Sequence, residues 1–525
     1  MMRSISLFLL LGAVVACQAA EDPKDNKATT AYAGMGDPQQ LPSVSSLDPA
    51  TFLRILVARN LDVQYSRRNT EVTRHLGAAE AALYEPVSFL SLRREGRDRQ
   101  RSADEILRLN ITTPILQETV NTREVGIRRK VPSGADVSLS YSLAAKTNNL
   151  IPQNTTTGVS EYTGALTLTL KQPLLRNAGR SITETDKRVA ELEYGASVQQ
   201  LTQQTLKTGI DGLNLYWQLH KSQETVKLRQ KALTTSQSLL SDAQSRVAAG
   251  RTASNALLEL RGNTLTREAE LMRSQQALQE SQSKLLTALD ILWNAGTPAT
   301  TAPQWHTDAP VLPPPATAVD DTLLHWSPYQ VALIRRQQAQ IRLDFARNQM
   351  RPLLDLVMSY AGTGLDYKRP AAVDAALHRD YPDWYIGLNL ELPVGGNQKA
   401  KEQFLAQSAR LDQSDLEIRA IRNSFANDLN LRLADMQSAY AAIKLGAEEL
   451  KLRQSIFDNE RQRIQLGSGS LSVLIQKQAD LIEADQRLLD SQVRYELALA
   501  TWQYTRGSLL TESGIHVVES TPSLN

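Results

Sequence analysis

The sequence lacks most of what an enzyme or a helical membrane protein would show. Cys17 is the one cysteine in 525 residues, so no disulfide framework exists. No apolar run is long enough to span a bilayer as a helix, and the apolar stretch 5–16 is too short. A chain of this kind that crosses a membrane must do so as a β-barrel, the other structure that satisfies its own backbone. Aromatic residues make up 5%, which suits extended helices better than a compact core. The net charge of +2 sets up no field for nucleic acid. His75, His220, His306, His325, His378 and His516 are scattered, without metal-ligand spacing. The nearest approach to a phosphate-binding loop, Ala361-Gly362-Thr363-Gly364, has no Lys-Ser/Thr after it. Nothing here suggests a cofactor, a metal site or catalysis. The single basic cluster, Arg93, Arg94, Arg97, Arg99 and Arg101, reads as a solvated loop or as a contact for anionic lipid or polysaccharide.

What is present is periodicity. Leu429, Met436, Ile443, Leu450, Phe457 and Ile464 recur every seven residues. Gly467-Ser468-Gly469-Ser470 intervenes, and Leu474, Leu481, Leu488, Tyr495, Trp502 and Leu509 resume the period in a new register. Seven residues are two turns at 3.5 per turn, the spacing that keeps one apolar seam against a partner helix. Glycine accepts left-handed dihedrals without a Cβ penalty, so the break reads as the tip of an antiparallel helical hairpin. The same plan occurs 217 residues earlier. Leu219, Val226, Leu233, Leu240 and Val247 match Met436 through Ile464, and Gly250 matches Gly467. Leu257, Leu271, Leu278, Leu285 and Leu292 match the second run, with Thr264 the polar exception. The chain is an internal duplication.

Taken in order, residues 1–16 read as a secretory signal with Arg3 at its positive start. Two processing readings stand. Val14-Val15-Ala16-Cys17 resembles a bacterial lipobox with Cys17 lipidated; alternatively the signal is cut after Ala19. Residues 17–46 are polar and rich in Pro, Gly, Asp and Lys, and are expected to be disordered. The first repeat, 47–293, holds a helix at about 47–85, strands within about 87–171, and a helical hairpin at 181–293. Val137, Leu139, Tyr141 and Leu143, and again Leu166, Leu168 and Leu170, alternate with polar residues, the mark of a half-buried strand. Polar loops are expected at about 95–122 and 146–160. A linker with six prolines follows at 294–319. The second repeat, 320–510, has a helix at about 320–350, strands within about 353–392 around a loop at about 362–382, and a hairpin at 398–510. The tail 511–525 is polar. Four to six strands per chain fit this pattern. Each long helix has about 69 residues and would reach roughly 100 Å. The shorter helices, stacked end to end, match that length if 253–293 pairs with 320–350 and 471–510 with 47–85.

This arrangement resembles the TolC-type outer-membrane efflux family over about 47–510. The likeness rests on Pro86 and Pro352 after the short helices, Gln172-Pro173-Leu174-Leu175 and Leu392-Pro393-Val394 after the last strand of each half, and Arg246-x-x-x-Gly250 and Arg463-x-x-x-Gly467 at the tips. The resemblance implies a mostly α fold with a β-barrel portion: long antiparallel coiled-coil helices form a periplasmic tunnel, and strands contribute to one shared trimeric barrel in outer-membrane lipid. It also implies that the tips meet a periplasmic adaptor protein joined to an inner-membrane pump, so the chain would be the passive export duct of a tripartite efflux or type I secretion system. Independently, four to six strands are fewer than the roughly eight of the smallest membrane barrels, so several chains must share one. Arg246, Gly250, Arg251, Thr252, Arg463, Gly467, Ser468 and Ser470 are the tip residues expected to dock a partner. Well-known members carry acidic residues six and nine positions after the second tip glycine. Here those positions are Val473 and Gln476, with Ala256 and Glu259 in the first repeat. Glu259 and Gln476 are therefore the candidate aperture residues, and an acidic ring is not carried over. A different class, a secreted coiled-coil structural or adhesion protein or a periplasmic adaptor, explains the signal and heptads but not strands at equivalent places in both repeats.

Overall fold

The computed structural model describes residues 48–109, 114–149, 160–249, 254–291, 322–379 and 381–515. The signal segment, Cys17, the 17–46 segment, the 294–319 linker, Gly250, Arg251 and Thr252, and most of the tail lie outside the described residues. Where one helix was expected at 47–85, there are two: α1 (Pro49–Arg59) and α2 (Leu61–Ala81), followed by a 3-10 turn. Asn60 is the break. Its backbone is extended, and its side-chain oxygen caps the amides of Asp62 and Val63 at 3.0 and 3.3 Å. Its amide also donates to the carbonyl of Ala288 at 3.2 Å. Asp48 caps α1 by accepting from the Thr51 amide, and Phe52, Leu53, Leu56 and Val57 are buried.

Six strands follow in two groups. The first repeat supplies β1 (Val87–Gln100), β2 (Ile115–Lys130), β3 (Asp136–Asn148) and β4 (Glu161–Pro173), with a short helix α3 (Ala103–Leu109) between the first two. The β2–β3 turn closes where Pro132-Ser133-Gly134-Ala135 stands: the Val131 amide donates to Ala135 O at 2.9 Å, and Gly134 has φ +91. Within the polar loop expected at 95–122 lie instead the end of β1, helix α3 and the start of β2, because strands with polar residues on both faces lose the alternation that reveals them.

Between strands and the later elements lie α4 (Arg180–Thr183), α5 (Thr185–Ala248) and α6 (Ser254–Ala288), so the long helix expected from 181 breaks once, at Glu184. Then come α7 (Ser327–Gln349), β5 (Leu353–Asp366), α8 (Arg369–His378), β6 (Tyr381–Glu391), α9 (Gln398–Gln465), α10 (Leu471–Thr505) and α11 (Leu509–Glu512). Gly507, with φ +72, separates the last two. The expected loop at 362–382 is thus the end of β5 plus a ten-residue helix.

All six strands form one antiparallel meander in chain order, so β4 of the first repeat pairs with β5 of the second. Side chains alternate across it. The register puts Leu90, Val125, Tyr141 and Leu166 in one row of one face, and Ile127, Leu139, Leu168, Tyr360 and Trp384 in the next. Several of these are widely exposed, Leu90 at 70% and Trp384 at 66%. Ser138, Ser140, Thr167, Thr169, Asn389 and Glu391 share the opposite, polar face. Lys171 and Asp355 also sit there and form an ion pair at 3.0 Å across the join of the two repeats.

Helix α8 lies on the apolar face. It can do so because Gly164, Gly362 and Gly364 offer no side chain: a Cβ on Gly364 would sit 2.5 Å from Ala372 O and 2.7 Å from Ala375 Cβ. At the other end of the sheet, the Pro173–Asn177 segment is locked to the end of α7. Arg176 Nε donates to Gln349 Oε1 at 2.7 Å, the Asn177 amide to Asn348 Oδ1 at 2.8 Å, and Gln349 Nε2 to Asn177 Oδ1 at 2.7 Å.

The helices pack as long rods beside half-length ones, but the half-length pairs differ from those expected. The end of α6 meets the start of α2 through the Ala288–Asn60 bond, both against α5. The end of α10 meets the start of α7 through a core of Leu323, Phe425, Leu429, Met436, Ala439, Tyr495 and Trp502 along α9. The Trp326 ring lies 4.8 Å from that of Phe425. Leu53 and Leu509 converge on Gly209 of α5, and Leu56 and Phe52 on Gly212, so small residues on the rod receive large ones.

Gly364→Val is expected to lift α8 from the sheet, since its Cβ meets backbone rather than a flexible tip; overpacking of this kind costs about 1–3 kcal/mol. The check is limited trypsin digestion in detergent, where cleavage after Lys368 or Arg379 should accelerate while the helical tryptic pattern stays as in wild type.

Candidate functional site at the helical tips

The second hairpin turns by ending α9 in a left-handed glycine. Gly467 has φ +78, the Ser468 amide donates to Arg463 O at 2.9 Å, and the Gly467 amide to Ile464 O at 3.0 Å. This paired arrangement satisfies carbonyls that a helix end leaves without partners. Gly469 is required for a different reason: a Cβ there would stand 2.6 Å from Ile464 Cγ1 and 2.7 Å from Ile464 N.

Arg463 and Glu460 brace the turn. Arg463 pairs with Glu460 at 3.1 Å and reaches the Ser468 carbonyl at 3.4 Å. Glu460 is 7% exposed, and its other oxygen accepts from the Ser470 amide at 3.3 Å. The carboxylate thus acts as a cap for α10 supplied by the preceding helix. Sequence reasoning had missed Glu460, because its partners depend on how the turn folds back; the i,i+3 spacing to Arg463 was the available signal.

The two hairpins are joined to each other near the tips. Leu239, Ala243 and Leu260 of the first pack with Phe457, Ile464 and Leu474 of the second. Arg246 of α5 donates to the carbonyl of Ile464 at 2.8 Å, satisfying an end group of α9. Ser472 Oγ donates to Glu259 Oε2 at 2.5 Å. The structure therefore brings together Arg246, Arg463, Gly467, Ser468 and Glu259. Gln476 lies one turn along α10 from Ser472 and is exposed, its side chain making no hydrogen bond among the described residues. Gln478 is the buried one and donates to Ala232 O at 3.2 Å.

A second set of heptad positions is also apparent. Whereas the first seam is largely buried, Leu258, Leu265 and Met272 on α6 are 66, 61 and 62% exposed, at seven-residue spacing. Leu431, Leu445 and Leu452 on α9, and Leu466 just past its end, share one heptad position and are exposed at 55, 68, 65 and 84%. Among the described residues these stripes stay open to solvent. Among the described residues no helix is long and apolar enough to cross a membrane, and no three metal-ligating side chains form a cluster.

Higher along the rods, His220 sits in a groove between α5 and α10 with Glu224, Lys227 and Asp485. Burial pushes the imidazole below its ordinary value of 6.5; Glu224 raises it and Lys227 lowers it. Burial pushes the Asp485 carboxyl up, against the pull of Lys231. A depressed histidine leaves the folded state binding fewer protons than the unfolded one as pH falls through 6.5. Its contribution is therefore fully present above that pH and is lost below it, whereas Asp485 acts in the opposite sense. The midpoint of thermal unfolding should drop between pH 7 and 5 more steeply in wild type than in His220→Gln; parallel profiles would show that His220 carries no such linkage.

No protein-family model matches the chain, and no curated protein is similar to it in sequence. Solved structures are similar in fold. CusC, in crystal structures concerned with folding and transmembrane channel formation, superposes with a TM-score of 0.63 at 14% identity, covering 92% of this chain and 98% of its own. The open state of the MtrE outer membrane channel of Neisseria gonorrhoeae gives 0.62 at 15% identity, covering 88 and 89%. The CmeC outer membrane channel of Campylobacter jejuni gives 0.61 at 12%, covering 90 and 87%.

Proposed function

We propose, on the premise that this chain has the fold of the TolC-type outer-membrane channels, that it is the outer-membrane component of a tripartite efflux or type I secretion system. It is a passive duct from periplasm to exterior and works with a periplasmic adaptor and an inner-membrane pump. The observation that carries this reading is the sheet: one apolar, exposed face, one polar face, and two unpaired edges at β1 and β6. In lipid such edges must be paired. Three copies, each with six strands, close a barrel of eighteen, within the known size range. The exposed heptad stripes on α6 and α9 support the same homotrimer, since each Leu or Met buried there contributes roughly 1.5–3 kcal/mol. A secreted coiled-coil or adaptor reading leaves the apolar sheet face without a purpose.

The helices stand in the periplasm with the tips at its inner side. Arg246, Gly250, Arg251, Arg463, Gly467 and Ser468 form the docking end, and Glu259 and Gln476 line the aperture. The Arg246–Ile464 and Ser472–Glu259 bonds hold the two hairpins of one chain side by side there.

Wild type should fractionate with outer membranes and run as a detergent-resistant trimer; a soluble monomer without detergent would sink the channel reading. Gly467→Val strains a left-handed position by about 1–2 kcal/mol, small against the trimer seams. Its trimer yield should be normal, with adaptor cross-linking and dye efflux lost. Normal cross-linking and efflux in an assembled Gly467→Val trimer would reject the tip as the docking end.

A further inference from the structure

The apolar face of the sheet is not uniform. On β3 and β4 it runs without charge from Val137 to Ala145 and from Tyr162 to Leu170. On β1 and β2 it is cut short from mid-strand onward, in the half far from the long helices. There the register sets Leu92 opposite Arg123 and Arg94 opposite Asn121, on the same face as Leu90 and Val125. Arg123 and Arg94 are diagonal neighbours, a relation that places Cα atoms about 7–8 Å apart. Both are exposed, and neither has an ion pair or hydrogen bond among the described residues.

Two bare guanidinium groups side by side on a sheet face repel each other unless an anion lies between them. The position restricts which anion. Leu90 and Val125, 70 and 47% exposed, adjoin the pair toward the helical end. Arg123 is paired across the ladder with Leu143, which is buried, and Leu143 with Gly164, against which α8 is packed. The arginines therefore share the apolar face with α8, with Leu143 and Gly164 between Arg123 and the helix. A ligand that lies along this face has phosphate or a like anion at one end and hydrocarbon at the other.

We infer that Arg94 and Arg123 bind the phosphates of a multiply acylated glycolipid of the outer leaflet, whose chains lie along Leu90, Val125 and the flank of α8. The inference rests on the outer-membrane reading above, which turns this half of the sheet toward the outer surface. Arginine suits the role because its planar fork donates two parallel bonds to one phosphate. Arg97, on the same strand, faces the opposite way, beside Glu118, and takes no part.

The test uses the full-length protein purified in detergent, with native mass spectrometry titrating bisphosphorylated lipid A, its monophosphorylated form, phosphatidylethanolamine and inorganic phosphate. Wild type is expected to hold bisphosphorylated lipid A, more weakly the monophosphorylated form, and neither of the others. In R94Q/R123Q the lipid A affinity should fall about tenfold or more, since each arginine near an anionic surface contributes comparably. Arg97→Gln, which removes a positive charge from the other face, should bind as wild type. Equal binding by R94Q/R123Q, an equal loss in Arg97→Gln, or binding of inorganic phosphate alone would each overturn the site. Membrane fractionation and efflux are read separately, so a channel that exports normally without holding lipid A refutes the site and leaves the channel reading standing.

Discussion

Everything in this chain follows from the pairing of backbone amides and carbonyls at two strand edges. A six-stranded meander with an apolar face has found its partners everywhere except along β1 and β6. In water those edges would invite aggregation, and in lipid they cannot persist. The proposed homotrimer would pair them with more copies of the same chain, and the helices carry a matching pattern. One heptad seam on α9 is spent inside the chain on Met436, Phe457 and Ile464; another, with Leu431, Leu445 and Leu452, is left outward. A rod with two seams at offset heptad positions is suited to a ring of helices rather than a single hairpin.

The two repeats have kept a common plan and diverged in its use. Both have the long rod, the returning half-rod and the tip glycine. The first supplies four strands and the second two, with α8 laid across the join where the second has its loop. The Lys171–Asp355 pair holds that join on the polar face. At the tips the relation becomes complementary rather than repetitive. Arg463 stabilises its own turn, while its counterpart Arg246 serves the end of the other repeat's helix.

The sequence made the rods, the Gly467 turn and strands β3 and β4 legible because each has a strong period or a residue with one conformational use. Heptads at Leu429 through Ile464 and alternation at Val137 through Leu143 are local signals. What stayed hidden depended on distant partners. The outer half of β1 is polar on both faces and so reads as loop. Helix α8 is short and rich in alanine, and its place on the sheet is declared by glycines on β4 and β5, far away in the chain. The half-rod pairing turned on a single side chain, Asn60, whose reach to Ala288 no spacing rule exposes. At the tip, Gly467 was readable, but Glu460 was not: its role as a cap is created by the fold of the turn. Gly250 and Arg251 lie outside the described residues, so the first tip rests on its match to the second.

The lock between the Pro173–Asn177 segment and the end of α7 has a mechanical consequence. Four polar side chains, Arg176, Asn177, Asn348 and Gln349, tie the base of the sheet to the root of the helices through short bonds. Asn397, the cap of α9, is fastened to the same place through the Gln349 carbonyl at 3.0 Å. That clamps one end of a lever of 68 residues. At 1.5 Å per residue it is about 100 Å long, so a rotation of one degree about the clamp carries the far end roughly 2 Å. Motion too small to disturb a hydrogen bond at the root is enough to separate side chains at the tip.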